Sequence, residues 1–332
     1  MSNKINKRHD IEEIMKYKRI ITITVCAFLA TVMLLLSCIN NGPNQWDQAV
    51  DNYTKAIALN PQDAVAYFYR GVSYAVKGEY DKAIADYNKA IDIDPKYAQA
   101  YCGRGRAYSD IGNYDNAITD FTTSIGLDPK DAMAYQGRGL AYGKEGLYDK
   151  AIVDFTKAIE IDPDPTIAYL NRGLSYYKKG DYDKAISDYN KAIALNPNNA
   201  DAYSGRGNVY YRQNDRDKAL VDLNKAIELN PNDAEVFNNR GLCYKLRGCN
   251  EAIADFTKAI ELNPKYAAAY YNRANSYFFM NEYNHSIADC TKAIELRPNF
   301  ANAYYNRGLS YNKIGDKSKA EADFKKAAEL GQ

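Results

Sequence analysis

An all-α solenoid is the fold class that this sequence predicts, and two observations predict it. The first is a proline clock: Pro61, Pro95, Pro129, Pro163, Pro197, Pro231, Pro264 and Pro298 recur every 34 residues, with one 33-residue step. The second is that the text between prolines is rewritten eight times, as in Tyr67-x-x-Arg70-Gly71-x-x-Tyr74-x-x-x-Gly78-x-Tyr80-Asp81-Lys82-Ala83-Ile84-x-Asp86-Tyr87-x-Lys89-Ala90-Ile91. A period of this length marks a stack of one small unit, each copy burying its apolar face against its neighbours, and it overrides the two or three domains that 332 residues would otherwise suggest. Stacks of this kind bind more often than they transform.

The chain opens on a leader. Ile20 to Leu36 is a run of 17 apolar and hydroxyl residues behind Lys16, Lys18 and Arg19, short for a membrane span of about 20 residues but long enough for a secretory signal. Leu35-Leu36-Ser37-Cys38 follows, and then the polar, helix-breaking Ile39 to Asn44. This resembles a bacterial lipobox, whose cysteine is lipidated after cleavage, although Leu36 is a less usual residue in its slot. The expectation is a signal peptide or membrane anchor over residues 1–37, lipidation at Cys38 and a tether over 38–43. Met15, which begins a compact basic start, is an alternative initiator. An uncleaved signal anchor is the other reading of the leader. In both readings the basic flank stays in the cytoplasm and the array lies on the far side of a cell-envelope membrane.

Asn44 to Asn60 reads as a lone second helix, with Ala49, Tyr53 and Ala56 in phase, and the half-repeat cap is placed at 44–63. Eight full units over 64–332 begin at Ala64, Ala98, Ala132, Thr166, Ala200, Ala234, Ala267 and Ala301. Within a unit, Tyr67, Gly71 and Tyr74 share one helical face and Ala83, Tyr87 and Ala90 another. Gly78 to Asp81 forms the turn between the two helices, and Asp94-Pro95 ends the second. The unit six turn lacks one residue near Gly248, and unit seven departs at Ala274, Ser286 and Cys290. Slots 21 and 28 are apolar in nearly every unit, as at Ile84 and Ile91, but become Glu321 and Ala328 in the last; a polar outer face is what a terminal helix needs, so the array is expected to end at Gln332.

With Gly at slot 8, Tyr at slot 11, Ala at slots 20 and 27 and Pro at slot 32, the chain resembles a tetratricopeptide-repeat protein from about residue 44 to residue 330. The resemblance implies a right-handed superhelix of helix-turn-helix units, with slots 2, 5, 6, 9, 12 and 13 of the first helices lining a concave groove that holds protein segments. Tyr, or Phe237 in unit six, stands at slot 4 where the family usually has Trp.

Slot 7, an apolar leucine in that family, is here Arg in all eight units: Arg70, Arg104, Arg138, Arg172, Arg206, Arg240, Arg273 and Arg307. Slot 23 is Asp in the same eight: Asp86, Asp120, Asp154, Asp188, Asp222, Asp255, Asp289 and Asp323. The half-repeat has no arginine and carries Asn52 at slot 23, so pairing across units would give Arg70 an amide and orphan Asp323. Pairing within a unit leaves none over. Eight intra-unit structural ion pairs, bidentate where geometry allows, are therefore expected in place of an anion-binding ladder.

The groove slots carry two further signals. Slot 5 holds no lysine, which excludes the carboxylate clamp that the resemblance would otherwise suggest. Slot 6 is asparagine at Asn171, Asn239, Asn272 and Asn306, and an amide row can hold the backbone of an extended peptide whatever its sequence. It is similar to the asparagine ladder in the repeat region of the O-linked N-acetylglucosamine transferases, whose catalytic domain this chain lacks. Beside it Tyr271, Asn275, Phe278, Phe279 and Tyr305 make the most aromatic stretch of groove, the composition of a binding hot spot.

Composition narrows the function. Lys plus Arg is 43 and Asp plus Glu 42, for a net charge of +1; residues 1–37 hold six bases and three acids, leaving about −2 on the array. A nucleic-acid binder needs a basic stripe that this chain lacks. His9 and His285 are the two histidines, no C-x-x-C or H-E-x-x-H spacing occurs, and no nucleophile elbow or phosphate loop is present. Of the six cysteines, Cys243 and Cys249 are near enough to pair; packing thiols are the other reading. The expectation is a non-enzymatic scaffold without metal, cofactor or small-molecule substrate, tethered to the envelope and serving assembly, secretion or pilus biogenesis. The alternatives are a cytoplasm-facing co-chaperone or adaptor, and the regulatory subunit of an enzyme complex.

Overall fold

The computed structural model describes residues 45–245 and 248–331; the leader, Ser37 and Cys38 lie outside the described residues. Among the described residues are 17 helices and no strand. They fall into two compact units, which meet in sequence between Leu127 and Asp128. The first holds α1 (Gln45–Leu59), α2 (Ala64–Val76), α3 (Tyr80–Ile93), α4 (Ala98–Asp110) and α5 (Tyr114–Leu127). The second holds α6 (Ala132–Lys144), α7 (Tyr148–Ile161), α8 (Thr166–Lys179), α9 (Tyr182–Leu195), α10 (Ala200–Arg212) and α11 (Arg216–Leu229). It continues with α12 (Ala234–Tyr244), α13 (Cys249–Leu262), α14 (Ala267–Phe279), α15 (Tyr283–Leu296), α16 (Ala301–Lys313) and α17 (Lys317–Glu329). Within each unit every helix packs on the next in the chain, and first helices of adjacent repeats also meet, as α8 meets α10. This is an all-α solenoid.

The turns explain the spacing of the helices. After α2, the Glu79 N–H donates to the Tyr74 carbonyl (2.9 Å) and the Gly78 N–H to the Ala75 carbonyl (3.0 Å), which closes a Schellman motif. That motif needs a left-handed residue, and Gly78 supplies it at φ 76°. Asn214 (φ 65°) and Asn281 (φ 62°) take the same slot in repeats five and seven, since asparagine tolerates this region better than other residues with a side chain. Before every first helix except α16, where Arg297 stands in the slot, an Asx turn ends the preceding repeat: the Lys96 N–H, for example, donates to Asp94 Oδ1 at 3.0 Å.

The core of a repeat is a close approach between its two helices. Ala151, Phe155 and Ala158 of α7 are essentially buried, and they face Gly139 of α6, where an added Cβ would stand 2.9 Å from the Phe155 ring. The same pairing of a slot 8 glycine with a bulky slot 24 residue occurs in seven repeats, with Cβ approaches of 2.7–3.1 Å. Gly139→Ala is therefore expected to cost about 1–3 kcal/mol by overpacking, read as a lower urea midpoint. Repeat seven departs by compensation. Ala274 has the extra methyl, and the buried Cys290 stands where the others have a ring or leucine. Ser286, in place of alanine, accepts a hydrogen bond from the Ser310 hydroxyl at 2.9 Å. Burial pushes the Cys290 thiol up to about 12, so it is a packing group. Among the described residues no disulfide forms; Cys243 is buried and Cys249 half-buried.

The residue that repeat six lacks is absorbed in its turn. α12 is 11 residues long where α10 and α14 have 13, and Gly248 enters α13 in an extended conformation. The ion pair of this repeat spans 15 residues in place of 16 and keeps its geometry, at 2.7 and 2.8 Å.

Candidate functional site

The structure brings each of the eight arginines to the aspartate of its own repeat. Arg172 Nε donates to Asp188 Oδ2 and its Nη2 to Asp188 Oδ1, both at 2.8 Å. The other seven repeat this two-bond fork at 2.7–2.9 Å, from Arg70–Asp86 to Arg307–Asp323. Slot 7 sits one helical turn from the slot 4 and slot 11 tyrosines, so the guanidinium of Arg172 lies 5.5 Å and 5.9 Å from the Tyr169 and Tyr176 ring centres. The Asp188 side chain is 6% exposed and that of Arg172 16%. Hydrogen bonding to Asp188 raises the Arg172 pKa and outweighs the lowering by burial. The pair is desolvated, geometrically complete and part of the frame.

Sequence reasoning missed the third contact. Nη1 of seven of the arginines reaches back to slot 25 of the preceding repeat: Arg70 to Thr54 Oγ1 (3.1 Å), Arg172 to Thr156 Oγ1 (2.9 Å), Arg240 to Asn224 Oδ1 (2.8 Å) and Arg273 to Thr257 Oγ1 (2.9 Å). Asn88 and Asn190 take the same role for Arg104 and Arg206, and Thr291 for Arg307. The arginine thus joins the two helices of its own repeat and also hooks the repeat before it. A signal for this was present: slot 25 is Asn or Thr wherever another repeat follows, and Lys325 in the last. Asn224→Ala is expected to lower stability by about 1–2 kcal/mol, measured by urea unfolding, because it removes one hydrogen bond to a charged group.

On the face formed by the first helices, the predicted asparagines are partly cross-linked. Asn272 Nδ2 donates to Asn238 Oδ1 at 2.8 Å, and Asn238 Nδ2 donates to Asn239 Oδ1 at 3.3 Å. Asn306 Nδ2 donates to Asn275 Oδ1. These bonds join α12 to α14 and α14 to α16, and they orient the amides. An amide has two N–H donors and a carbonyl with two lone pairs, so one such bond each leaves capacity for a ligand. Asn171 stands apart from this row, two repeats earlier on α8.

The aromatic residues divide into two kinds. Tyr271 packs on Phe300, with ring centres 4.9 Å apart, and Phe278 meets Tyr283 edge-on at 5.6 Å. Phe279 is 64% exposed, with the Lys245 ammonium 5.6 Å from its ring centre; Tyr305 is exposed beside Phe324. Burial lowers the Lys245 pKa.

A hollow of about 270 Å³ opens on the same face, between α8, α10 and α12. Leu170, Asn171 and Leu174 form one side of it, Ser204, Gly205 and Asn208 another, and Tyr189 part of its lining. Its floor is a close approach: slot 6 of repeat five is glycine, and a Cβ on Gly205 would stand 2.6 Å from the Tyr189 ring. Asp201, Asp233 and Glu235 complete the lining. Asp233 is committed, since its Oδ1 caps α12 by accepting from the Glu235 and Val236 N–H groups. Among the described residues no cluster of His, Cys, Asp and Glu could hold a metal ion, and no helix is long and apolar enough to cross a membrane.

The known proteins that this chain matches share its repeat. A family model described as a tetratricopeptide repeat matches residues 98–131, 132–165, 200–233, 267–300 and 301–331, and a second of the same description matches 155–187 and 223–253. A model described as a TPR repeat matches 44–78, 73–112, 173–214 and 249–281. Among solved structures, the APC/C hetero-tetramer Cut9–Hcn1 aligns at a TM-score of 0.65 and 21% identity, over 80% of this chain; the chain spans 53% of the length of that one. A tetratricopeptide repeat protein from Parabacteroides merdae ATCC 43184 aligns at 0.57 and 24% identity, over 71% of this chain and 93% of that one. YrrB, described as a TPR protein with an unusual peptide-binding site, aligns at 0.43 and 28% identity, over 55% of this chain and 95% of that one. No curated protein matches the chain closely enough to stand as a relative.

Proposed function

The chain belongs to the tetratricopeptide-repeat family and is a protein-interaction scaffold, and from that premise we propose that it works without catalysis, at a cell-envelope membrane, by holding extended protein segments for assembly or secretion. The observation that carries this reading is the amide row of α12, α14 and α16. Its donors and acceptors are oriented before any ligand arrives, and backbone-directed hydrogen bonds suit a flexible segment of variable sequence. Because stacking preforms the face, the segment bears most of the ordering cost. The exposed Phe279 and Tyr305 beside the row supply apolar area of the kind that anchors binding.

The tether in this proposal is Cys38. Its support is the basic start, the apolar run to Leu36 and the small residue Ser37 ahead of the cysteine. Mass spectrometry of the mature amino terminus from native membranes tests it. A lipid-modified Cys38 with residues 1–37 removed is the expected result, and an intact leader would replace the lipid tether with a membrane anchor. For the groove, the Asn272→Ala, Asn306→Ala double variant is expected to weaken peptides selected on the unaltered chain roughly tenfold, as the loss of two hydrogen bonds implies. Unchanged affinity would move the binding face away from this row.

A further inference from the structure

We infer that the groove of the second unit takes a segment in which a lysine or arginine neighbours aliphatic residues, the basic side chain entering the hollow between α8, α10 and α12. The inference rests on the proposed reading of this face as the peptide groove and adds the chemistry of the occupant. Two observations support it, and they lie side by side. The first is an aliphatic strip. Slots 2 and 9 are two of the four positions that line the hollow from α10, and in the two preceding repeats they are Met133, Leu140, Ile167 and Leu174, all exposed. Four large aliphatic side chains left to solvent on one face of neighbouring helices are more than the scattered apolar exposure of an ordinary surface.

The second is the change of lining where the strip ends. Slot 2 becomes Asp201 in repeat five and Glu235 in repeat six, both exposed at the rim of the hollow, with Asp233 beside them. No lysine or arginine is among the residues that line it. Nor are these carboxylates used up by the fold: Asp233 caps α12, and among the described residues no ion pair engages Asp201 or Glu235. Cations of the same face lie at the other end of the first helices. Arg212 is 11 residues from Asp201 on α10, about 16 Å along the axis at 1.5 Å per residue. It already donates to the Tyr177 hydroxyl at 3.3 Å, and the Lys178 ammonium lies 5.9 Å from the Tyr177 ring centre. A long basic side chain suits the hollow for a second reason. Its methylenes can lie against Leu170, Leu174 and Tyr189 while its charged head reaches the rim carboxylates. An acidic side chain entering there would meet like charge.

The test is selection of random 12-residue peptides, displayed on phage, against the immobilised full chain and against its Asp201→Asn, Glu235→Gln double variant. Both residues are exposed and uncommitted, so the variant keeps its fold, which circular dichroism verifies; Asp233 is left alone because it caps a helix. The expected result is a pool enriched in Lys or Arg next to aliphatic residues on the unaltered chain. On the double variant the aliphatic preference remains and the basic preference is lost. Individual selected peptides are expected to bind the variant about tenfold more weakly and to lose affinity with added salt on the unaltered chain. A pool without basic bias, an acid-rich pool, or a basic bias that survives in the variant would overturn the inference while leaving the groove reading in place. No enrichment of any kind would remove the groove reading itself, and the inference with it.

Discussion

Arg172→Met, made with Asp188 intact, is expected to destabilise repeat four by about 3–5 kcal/mol, because it strands a carboxylate that is 6% exposed. The fork contributes two hydrogen bonds to a charged acceptor, and the third, to Thr156, goes with it. Much of the cost is the penalty of leaving Asp188 buried without a counter-charge, so removing both partners should cost far less than removing one. Arg172→Met with Asp188→Leu is accordingly expected to recover most of the loss. An array does not guarantee two-state unfolding, so the local readout is hydrogen exchange at the amides of α8 and α9, with urea unfolding as the global one. If the single variant matches the unaltered chain in both, the pair is not part of the frame.

The second large effect lies in repeat seven. Cys290→Phe is expected to destabilise it by about 1–3 kcal/mol or somewhat more, although phenylalanine fills the same slot in four other repeats. In those repeats the facing residue is glycine, and a Cβ there would come within 2.7–3.1 Å of the ring. Repeat seven already carries that Cβ on Ala274. Ala274→Gly alone is expected to cost about 1 kcal/mol through helix propensity. The double variant should be more stable than Cys290→Phe alone, and a thermal-melt cycle over the four proteins measures the coupling. Simple additivity would mean that the two side chains do not share one space.

These expectations show what sequence could and could not carry. Helices, turns and repeat boundaries were legible because each depends on local chemistry written eight times over: proline at the stop, glycine or asparagine where φ turns positive, alanine where helices touch. The Arg–Asp pairing was legible because the number of arginines matches the number of aspartates and the half-repeat breaks the symmetry. The hook to slot 25 was not, since Asn224 or Thr156 alone is an ordinary helix-surface residue and only its replacement by Lys325 hints at a role. The aromatic stretch drew attention to repeat seven, yet Tyr271 and Phe278 spend much of their surface on Phe300 and Tyr283. The hollow was not legible either. Its lining comes from four helices and includes the Tyr189 ring packed against Gly205, a meeting in space that no residue count reveals.

The hook also bears on how such a chain can change in length. Seven of the repeats carry an arginine that reaches backwards, and every repeat but the last has the Asn or Thr that can receive one, so most copies are complementary to one another. Cutting the gene at one proline and joining it at another, a whole number of periods away, brings each guanidinium to an Asp of its own repeat and to an Asn or Thr at slot 25 of the one before. Recombination between near-identical segments is then silent in bonding terms, and an extra unit inserted between repeats four and five should be accepted like a brick added to a course. Repeat eight differs: Lys325 offers a cation where the seven earlier repeats offer an oxygen, so that brick would not receive an arginine hook.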